Sequence, residues 1–429
     1  MMRIAVVGGG AAGCFCAVEM KRRRPEAEVT VYEAGRRPMA KLAVTGGGRC
    51  NITNTFENVG SLAKVYPRGD KFMKRALKRF GSRDVLRWFE AEGVRFVAQP
   101  DGCVFPESQD AMQIVRTLER LMRRHGVQVE CGQRCIRIMP DRGHLSGETP
   151  AEASQDAGTA ADGNFALEFS DGSRETADRV VLTAGGSSGA FLRNLLPDSV
   201  EIVPTVPSLF TFKIAEGNLR ALMGTVVENS SLSIAGTAFR SEGTLLITDW
   251  GLSGPATLKL SSYAARYLSE HDYAAPLLVN WTGMTEADAR EWLSETASSR
   301  QRRQIAGIRP PGLTARLWEY MILRAGLRPD TRWRELAGKA VNRLAAAMTA
   351  DQYRIAGRAA FKEEFVTCGG VSLSSADLNT LECRSVPGLY FAGEVLDVDA
   401  VTGGFNLQAA WSGAYVAACS ATSGQVSCG

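Results

Sequence analysis

Histidine is scarce in this chain, and long apolar runs are missing. Of its 429 residues only His125, His144 and His271 are histidines, and none lies in a recognisable motif, so a histidine acid or base is not expected. No apolar run approaches the roughly eighteen residues that a membrane-spanning helix needs. The chain also enters its first predicted strand without the charged and apolar stretches of a signal peptide. We therefore expect a cytoplasmic protein that makes no membrane contact.

An excess of one charge is lacking as well. The 50 Lys and Arg residues face 46 Asp and Glu residues, so the net charge is only +4, and we expect no nucleic-acid partner. The arginines within residues 300–309 are interpreted as a solvated helix face. No two of the ten cysteines form a CxxC pair, which predicts reduced thiols rather than disulfides or a metal site. The composition is that of a globular enzyme.

Glycine, in contrast, is concentrated near the start of the chain. An apolar run at residues 4–7 predicts a buried strand, and three glycines follow it at the spacing of a dinucleotide-binding turn. Gly8 allows the tight turn, Gly10 lets the backbone approach a pyrophosphate, and Gly13 lets the next helix pack closely on the strand. The helix N-terminus then faces the phosphates. The residues assigned to this contact are Gly8, Gly10, Ala11, Ala12 and Gly13.

A second apolar strand, predicted over residues 29–32, ends in an acid. Glu33 lies twenty residues after Gly13, where a carboxylate accepts hydrogen bonds from the adenosine ribose hydroxyls. The adjacent Ala34 is placed at the same contact. An acid at this position disfavours a 2′-phosphate, but it does not decide between NAD and FAD.

Two later strands also end in glycine. Residues 180–186 predict a return strand that passes beneath the dinucleotide. Residues 389–394 resemble the strand and Gly-Asp step that contacts the ribityl chain in two-dinucleotide-fold flavoproteins, with a glutamate as the acid. The residues placed at the cofactor are Ala184, Gly185, Gly186, Gly393 and Glu394.

A third glycine step opens an apolar helix near residue 405. The free N–H groups of its first turn would point at the flavin pyrimidine ring, where a reduced flavin carries negative charge. An NAD dehydrogenase needs no such late element, so the sequence favours FAD. The predicted contacts here are Gly404, Phe405, Asn406 and Leu407.

A glycine-rich loop at residues 45–54 supplies further candidates. Its backbone could wrap the pyrophosphate and ribityl chain, while Arg49 and Asn51 donate to phosphate or flavin edge. Cys50 is assigned a positional rather than a catalytic role. The loop residues placed at the cofactor are Thr45, Gly46, Gly47, Gly48, Arg49, Cys50 and Asn51.

These motifs together resemble those of the BaiN-type bacterial flavoproteins, a family related to aminoacetone oxidase and a bile-acid-pathway reductase. The resemblance covers nearly the whole chain and is most specific at residues 41–54, where Lys41 joins the predicted contacts, and at residues 388–408. It implies an α/β fold: a two-dinucleotide-binding, Rossmann-like FAD domain, interrupted by a small β-barrel-like domain and a helical insert. The predicted segments are 1–187 for the first part of the FAD domain, 188–280 for the barrel, 281–350 for the helical insert and 351–429 for the β return and the second part of the FAD domain.

The predicted reaction is a hydride transfer between flavin N5 and a small organic substrate. The backbones of Gly369 and Gly370 are placed near the ring, and the candidates for a catalytic side chain are Thr367 and Asp249. Asp249 stands where members of the family commonly have a histidine, and a simple turn residue is the alternative reading. The protein is expected to supply position and electrostatics rather than a covalent step.

Three functions remain open at this point. Because no second dinucleotide fingerprint is present, NAD(P)H would have to enter transiently at the flavin face, to reduce a conjugated carbonyl compound. Alternatively, oxygen reoxidises the flavin after oxidation of a small amine or aminoketone. A third alternative, from a different class, is a flavin-binding protein with an RNA-modifying or structural role. The sequence does not separate the first two alternatives, whereas the net charge of only +4 counts against an RNA-modifying role, and the oligomeric state stays undetermined.

Overall fold

The structure, a computed structural model, describes residues 1–140, 164–359 and 366–423. His144 lies outside the described residues. Two compact units divide the chain between them: unit 1 consists of residues 1–205 together with the segment from residue 366 onward, and unit 2 of residues 206–365.

Strands and helices follow one another along both units. The strands are β1 (Arg3–Val7), β2 (Glu28–Glu33), β3 (Thr53–Asn54), β4 (Phe96–Ala98), β5 (Cys103–Pro106), β6 (Gln128–Cys131), β7 (Cys135–Pro140), β8 (Phe165–Phe169), β9 (Arg174–Ala177), β10 (Arg179–Leu182), β11 (Ile202–Ser208), β12 (Phe212–Ile214), β13 (Val226–Ile234), β14 (Arg240–Ile247), β15 (Gly251–Ser253), β16 (Ala274–Asn280), β17 (Asp351–Arg358), β18 (Val366–Val371) and β19 (Leu389–Phe391). The helices are α1 (Ala11–Arg23), the short turn α2 (Thr45–Gly48), α3 (Leu62–Val65), α4 (Asp70–Arg79), α5 (Ser82–Glu90), α6 (Ala111–His125), α7 (Gly189–Leu195), α8 (Gly217–Arg220), α9 (Pro255–Tyr263), α10 (Ala265–Glu270), α11 (Glu286–Ser299), α12 (Ala315–Arg324), α13 (Gly338–Thr349) and α14 (Phe405–Thr422).

Unit 1 is built on a five-stranded sheet in the order β19-β10-β1-β2-β6. All its neighbouring strands pair in parallel, and Val6 of β1 lies opposite Val31 of β2 and Val181 of β10. These three valines are completely buried. A parallel sheet is covered on both faces, which explains why β1 and β10 read as continuous apolar runs.

Two apolar helices, α1 and α14, pack on each other beside this sheet. Phe15 of α1 contacts Trp411 of α14 with ring centroids 5.5 Å apart, and it contacts Trp88 of α5 at 4.6 Å. The eighteen residues of α14 are buried on most sides, as expected for a helix that is apolar all round. The helix that follows the predicted flavin contacts is therefore anchored in the core of unit 1.

Unit 2 contains a closed barrel of six strands in the order β12-β15-β14-β13-β16-β17. Its core is filled by fully buried side chains such as Phe212, Leu245, Leu277 and Ile355. The helices α11, α12 and α13 contribute to the same cluster, with Leu293, Trp318 and Leu344 fully buried in it. The predicted α/β class, with a Rossmann-like sheet, a barrel and helices, is confirmed.

The observed unit boundaries differ from the predicted ones. Residues 188–205 lie in unit 1, and residues 351–358 lie in unit 2. The second difference arises because β17 closes the barrel by pairing with β12 and β16, so it does not return to the dinucleotide sheet. Within the described ranges, no helix combines the length and the apolar character that crossing a membrane requires.

The interpretation of residues 300–309 as a helix face is wrong. Helix α11 ends at Ser299, and Arg300 is its C-terminal cap. The chain then turns, and Gln304 forms an isolated antiparallel bridge with Arg332. Residues 301–303 form a turn and Ile305–Gly307 a single turn of 3-10 helix, so the arginines do not line one face of a regular helix.

Candidate functional site

The carboxyl ends of four strands meet at one edge of the sheet in unit 1. Strands β1, β2, β10 and β19 run in parallel, so their C-terminal loops lie on the same side. Ligands of open parallel sheets bind at this edge. All predicted cofactor contacts belong to unit 1, whereas Asp249 belongs to unit 2.

The loop after β1 has the shape that its glycines predict. A Cβ at Gly8, where φ is +111°, would lie 2.4 Å from the carbonyl oxygen of Thr183, and one at Gly13 would lie 2.0 Å from that of Gly8. Both positions therefore exclude any side chain. A Cβ at Gly10 would meet no atom within 4 Å. The backbone at the N-terminus of α1 is thus open to a phosphate group.

Two side chains that flank this loop hold it in place. Glu33 accepts hydrogen bonds from the backbone N–H of Gly9 at 2.8 Å and of Gly35 at 2.6 Å. A carboxylate has further lone pairs, so it can still accept from ribose hydroxyls. Thr183, which the sequence reasoning missed, donates its hydroxyl to the carbonyl oxygen of Gly8 at 2.7 Å. The sequence feature that could have identified Thr183 is its position directly after an apolar strand.

The loop of residues 45–54 is dominated by left-handed backbone. Gly46, Gly47 and Gly48 have φ values of +59°, +68° and +82°, and Cβ atoms at the last two would meet nothing within 4 Å. The Arg49 guanidinium lies 4.4 Å from the ring centroid of Phe105. Asn51 has a buried side-chain oxygen without a hydrogen-bond partner among the described residues. An unpaired acceptor beside an open glycine backbone fits FAD, which offers ribityl hydroxyls and a ring N–H as donors.

Cys50 lies in this loop but is fully buried, and burial raises the pKa of its thiol to about 12. The thiol therefore stays protonated near neutral pH, which makes it a poor nucleophile. Cys131 is exposed, although burial and the nearby Glu33 also raise the pKa of its thiol.

We expect a short iodoacetamide pulse on the native holoenzyme to modify Cys131 well before Cys50, because only the first thiol is accessible. Peptide mass spectrometry would follow both sites, and unfolding in urea should expose Cys50. The variant Cys131→Ser should lose the fast reaction. Rapid native labelling of Cys50 would contradict its assignment as a packed, positional residue.

The ends of β10 and β19 come together at a carboxylate. Glu394 accepts a hydrogen bond from the backbone N–H of Thr367 at 2.8 Å, and its other oxygen lies 3.9 Å from Nζ of Lys41. A Cβ at Gly186 would lie 2.2 Å from the Thr367 hydroxyl. The hydroxyl of Thr367 therefore lies directly against the loop that follows the return strand, close to three of the predicted contacts, Lys41, Gly186 and Glu394.

The glycines of β18 are explained by packing. Gly369 and Gly370 have φ values of +98° and +131°, and Cβ atoms there would lie 2.2 Å from the carbonyl oxygen of Pro204 and 2.4 Å from that of Val395. Their backbones approach neighbouring strands and loops, so a packing role accounts for both glycines without a flavin contact.

The entry to α14 is similarly tight. A Cβ at Gly404, where φ is +85°, would lie 2.2 Å from the carbonyl oxygen of Thr53. The Asn406 side chain exchanges two hydrogen bonds with the backbone of Ala400, at 2.9 and 3.0 Å. Asn406 thus closes the loop before the helix, and Phe405 and Leu407 lie in the first turn that follows.

A buried ion pair, which the sequence reasoning missed, supports this loop. Asp399 is completely buried and binds the guanidinium of Arg68 through both carboxylate oxygens. Cys368 and Asp397 place ligand atoms within 4.8 Å of that carboxylate, a spacing that a metal ion could use. Since the Arg68 cation already neutralises Asp399, the group is an ion-pair network rather than a metal site.

Asp249 lies in an exposed turn between β14 and β15 of unit 2. The turn is closed by Thr248, whose backbone N–H donates to the carbonyl oxygen of Gly251 at 2.8 Å. This geometry supports the reading of Asp249 as a turn residue.

Comparison with known proteins decides the family. The family model described as the HI0933-like protein Rossmann domain matches residues 2–420. The chain belongs to the HI0933-like family. It is an FAD-dependent oxidoreductase, as its sequence predicts.

Relatives of this HI0933-like enzyme match it along almost their whole length. The chain is 28% identical to the 3-dehydro-bile acid delta(4,6)-reductase of Clostridium scindens, covering 97% of this chain and 98% of the relative. It is 30% identical to the ribosomal RNA dihydrouridine synthase of Escherichia coli, covering 96% of both chains. The enzyme of the same name from Haemophilus influenzae is 27% identical, covering 97% of both. The expectation that no nucleic acid takes part is not supported by these relatives.

Proposed function

We propose that this enzyme is an NAD(P)H-linked reductase of a carbon–carbon double bond conjugated to a carbonyl group. The observation that carries the proposal is the combination of an FAD-shaped cradle with relatives of two names that share this chemistry. A 3-dehydro-bile acid with delta(4,6) double bonds and the uracil ring of uridine both place a reducible double bond beside a carbonyl. Neither name describes an oxidation of an amine.

The proposed reaction adds one hydride and one proton across the double bond. When bound, FAD would supply the hydride-transfer chemistry by which a hydride from NAD(P)H reaches the carbon β to the carbonyl. A proton from the solvent goes to the α-carbon, and NAD(P)H leaves as NAD(P)⁺, so the substrate gains two electrons and two hydrogens in all. Electron withdrawal by the carbonyl makes the β-carbon electrophilic.

The residues of unit 1 hold the two ends of the cofactor in this proposal. The glycine loop, with the N-terminus of α1, binds the pyrophosphate, and Glu33 binds the ribose. The first turn of α14 presents its free N–H groups to the pyrimidine end of the flavin, which stabilises negative charge there. Asn51 accepts from a cofactor donor, and the Thr367 hydroxyl is the candidate for orienting the substrate.

NAD(P)H is proposed to bind only transiently. A second dinucleotide fingerprint is missing from the sequence, and the glycines after β10 face Glu394 and Thr367 instead of an open cradle. The nicotinamide and the substrate would then use the flavin face in turn.

An anaerobic spectroscopic titration tests this function. We expect NADPH or NADH to bleach the flavin band near about 450 nm, and a steroid 4-en-3-one to restore it while gaining two mass units. The variant Gly10→Ala, which should bind FAD about a hundredfold more weakly, is the control. Bleaching by a small amine with release of hydrogen peroxide, and none by a nicotinamide, would replace the proposal with an oxidase.

Uridine in ribosomal RNA is a second candidate substrate, because two relatives from different bacteria carry that activity in their names. The same prereduced enzyme should then be reoxidised by protein-free ribosomal RNA. Digestion and mass spectrometry would show dihydrouridine. If the steroid reoxidises the flavin and RNA does not, the substrate is a small molecule.

A further inference from the structure

Basic charge is concentrated in one part of unit 2. Residues 281–350 contain twelve Lys and Arg and only seven Asp and Glu, whereas the chain as a whole has a net charge of +4. The rest of the chain is therefore slightly acidic. Residues 296–318 contain five arginines and no acid at all. The chain therefore carries a strongly basic segment although its net charge as a whole is close to zero.

Two stretches of this segment run side by side. The backbone N–H of Trp333 donates to the carbonyl oxygen of Arg303 at 3.0 Å, and that of Arg334 donates to that of Gln301 at 3.1 Å. The bridge between Gln304 and Arg332 completes the pairing. We call the resulting set of exposed side chains the arginine face; it consists of Arg300, Arg302, Arg303, Arg332 and Arg334.

The backbone beneath the arginine face is fixed by buried aromatic packing. Trp333 is fully buried and stands edge-to-face against Trp292, with ring centroids 5.9 Å apart. Ile305 is also fully buried, and its carbonyl oxygen accepts a hydrogen bond from Nε1 of Trp318 at 2.8 Å. Because the backbone is held, binding a ligand at this face orders only the side chains.

The positive charges of the arginine face are not neutralised by the protein. In the part of the chain that the structure describes, Arg300, Arg302, Arg303 and Arg332 form no ion pair, and Arg334 has only a 3.9 Å approach to Glu335. Some exposed arginines elsewhere in the described residues differ. Ion pairs with acids engage Arg87, Arg95, Arg174 and Arg290.

We propose that the arginine face binds the phosphate backbone of a structured RNA. A guanidinium donates hydrogen bonds to two phosphate oxygens at once. Several neighbouring guanidinium groups therefore suit a line of phosphates better than a single anion. Such contacts release counterions, so they strengthen binding without reading the base sequence. This inference rests on the proposed function, with uridine in RNA as the reducible group, and it assigns recognition of the RNA to unit 2.

Charge removal with a matched control tests the assignment. The variant Arg300→Gln/Arg302→Gln/Arg303→Gln/Arg332→Gln would be compared, as full-length holoenzyme, with Arg87→Gln/Arg95→Gln/Arg174→Gln/Arg290→Gln. Both lose four exposed arginines. Binding of protein-free ribosomal RNA should be followed by fluorescence anisotropy across a salt series. We expect at least a tenfold loss for the first variant, with a salt slope smaller by about one per lost phosphate contact, and at most about a twofold loss for the control.

Equal losses in both variants, or no loss in the first, would overturn the inference. Binding of wild-type protein to anionic vesicles but not to RNA would overturn it too. If the fourfold variant does not fold, the charge-reversed double variant Arg302→Glu/Arg303→Glu provides the same test. Reduction of a steroid enone by NAD(P)H is scored separately. Wild-type enzyme that reduces the enone and does not bind RNA refutes this inference alone, and enzyme that binds RNA but accepts no electrons refutes the proposed function.

Discussion

Replacing Gly13 with alanine is expected to yield protein that purifies without flavin and melts at a markedly lower temperature. The new Cβ would lie 2.0 Å from the carbonyl oxygen of Gly8 and 2.7 Å from the Thr183 hydroxyl. Both of these neighbours belong to the loops after β1 and β10 that shape the phosphate site, so relief of the clash must move that site. Overpacking of this kind costs about 1–3 kcal/mol, and the backbone contact places Gly13→Ala near the upper limit. Because alanine has a higher helix propensity than glycine, propensity alone would make the Gly13→Ala variant more stable, which is opposite to the expected destabilisation.

Two further alanine variants separate the fold from the cofactor. Gly10→Ala meets no atom within 4 Å, so it should melt like the wild type without FAD but bind FAD roughly a hundredfold more weakly, since its methyl group occupies the pyrophosphate side. Gly217→Ala in unit 2 also meets nothing and should change neither property. Flavin absorbance per protein and the thermal midpoint with and without FAD measure both effects. Full flavin content in Gly13→Ala would contradict the placement of FAD at this loop.

The features of this enzyme that the sequence predicted are those determined by short stretches of the chain. Gly8 and Gly13 stand where close approach excludes a side chain, as their spacing predicts, whereas the role of Gly10 at the pyrophosphate stays a prediction. The same holds for the carboxylate at the end of β2 and for the apolar strands of the parallel sheet. Each of these signals is contained within about thirty residues.

The features that sequence reasoning missed depend on partners far apart in the chain. Strand β17 looks like a return to the dinucleotide sheet until its pairing with β12 and β16 is known. Arg68 and Asp399 are separated by more than three hundred residues, so neither residue type nor spacing reveals their ion pair. The arginines after α11 could be distinguished from a helix face only once the bridge of Gln304 to Arg332 was visible.

Asn406 and the two β18 glycines show a different limit. Residue type marked them as special, and the structure shows a packing reason for each of them, while their predicted contact with the flavin stays a prediction. The Asn406 amide closes a loop onto Ala400, and Gly369 makes room for Pro204. Backbone crowding and cofactor contact both select for glycine and asparagine, and only coordinates separate the two.

Loss of Arg68 is expected to be among the most destabilising single changes in unit 1. The carboxylate of Asp399 is completely buried, and Arg68→Met would leave it without its cation. Removing one partner of a buried pair typically costs about 3–5 kcal/mol, because a desolvated charge is left uncompensated. The exposed pair of Arg95 and Glu107 provides the matched control, and Arg95→Met should cost at most about 0.5 kcal/mol.

The double variant Arg68→Met/Asp399→Leu tests whether charge is the cause. If the uncompensated carboxylate is responsible, the double variant should be more stable than Arg68→Met, since it removes both charges and leaves apolar groups in their place. Urea unfolding of the apoprotein gives the free energies, and FAD titration of each variant reports on the adjoining loop that leads into α14. Additive losses in the double variant would show instead that Arg68 and Asp399 stabilise the fold through separate contacts. A recovery of stability without recovery of FAD affinity would mean that the charged pair, and not merely a filled space, is what holds the loop before α14 in its binding conformation.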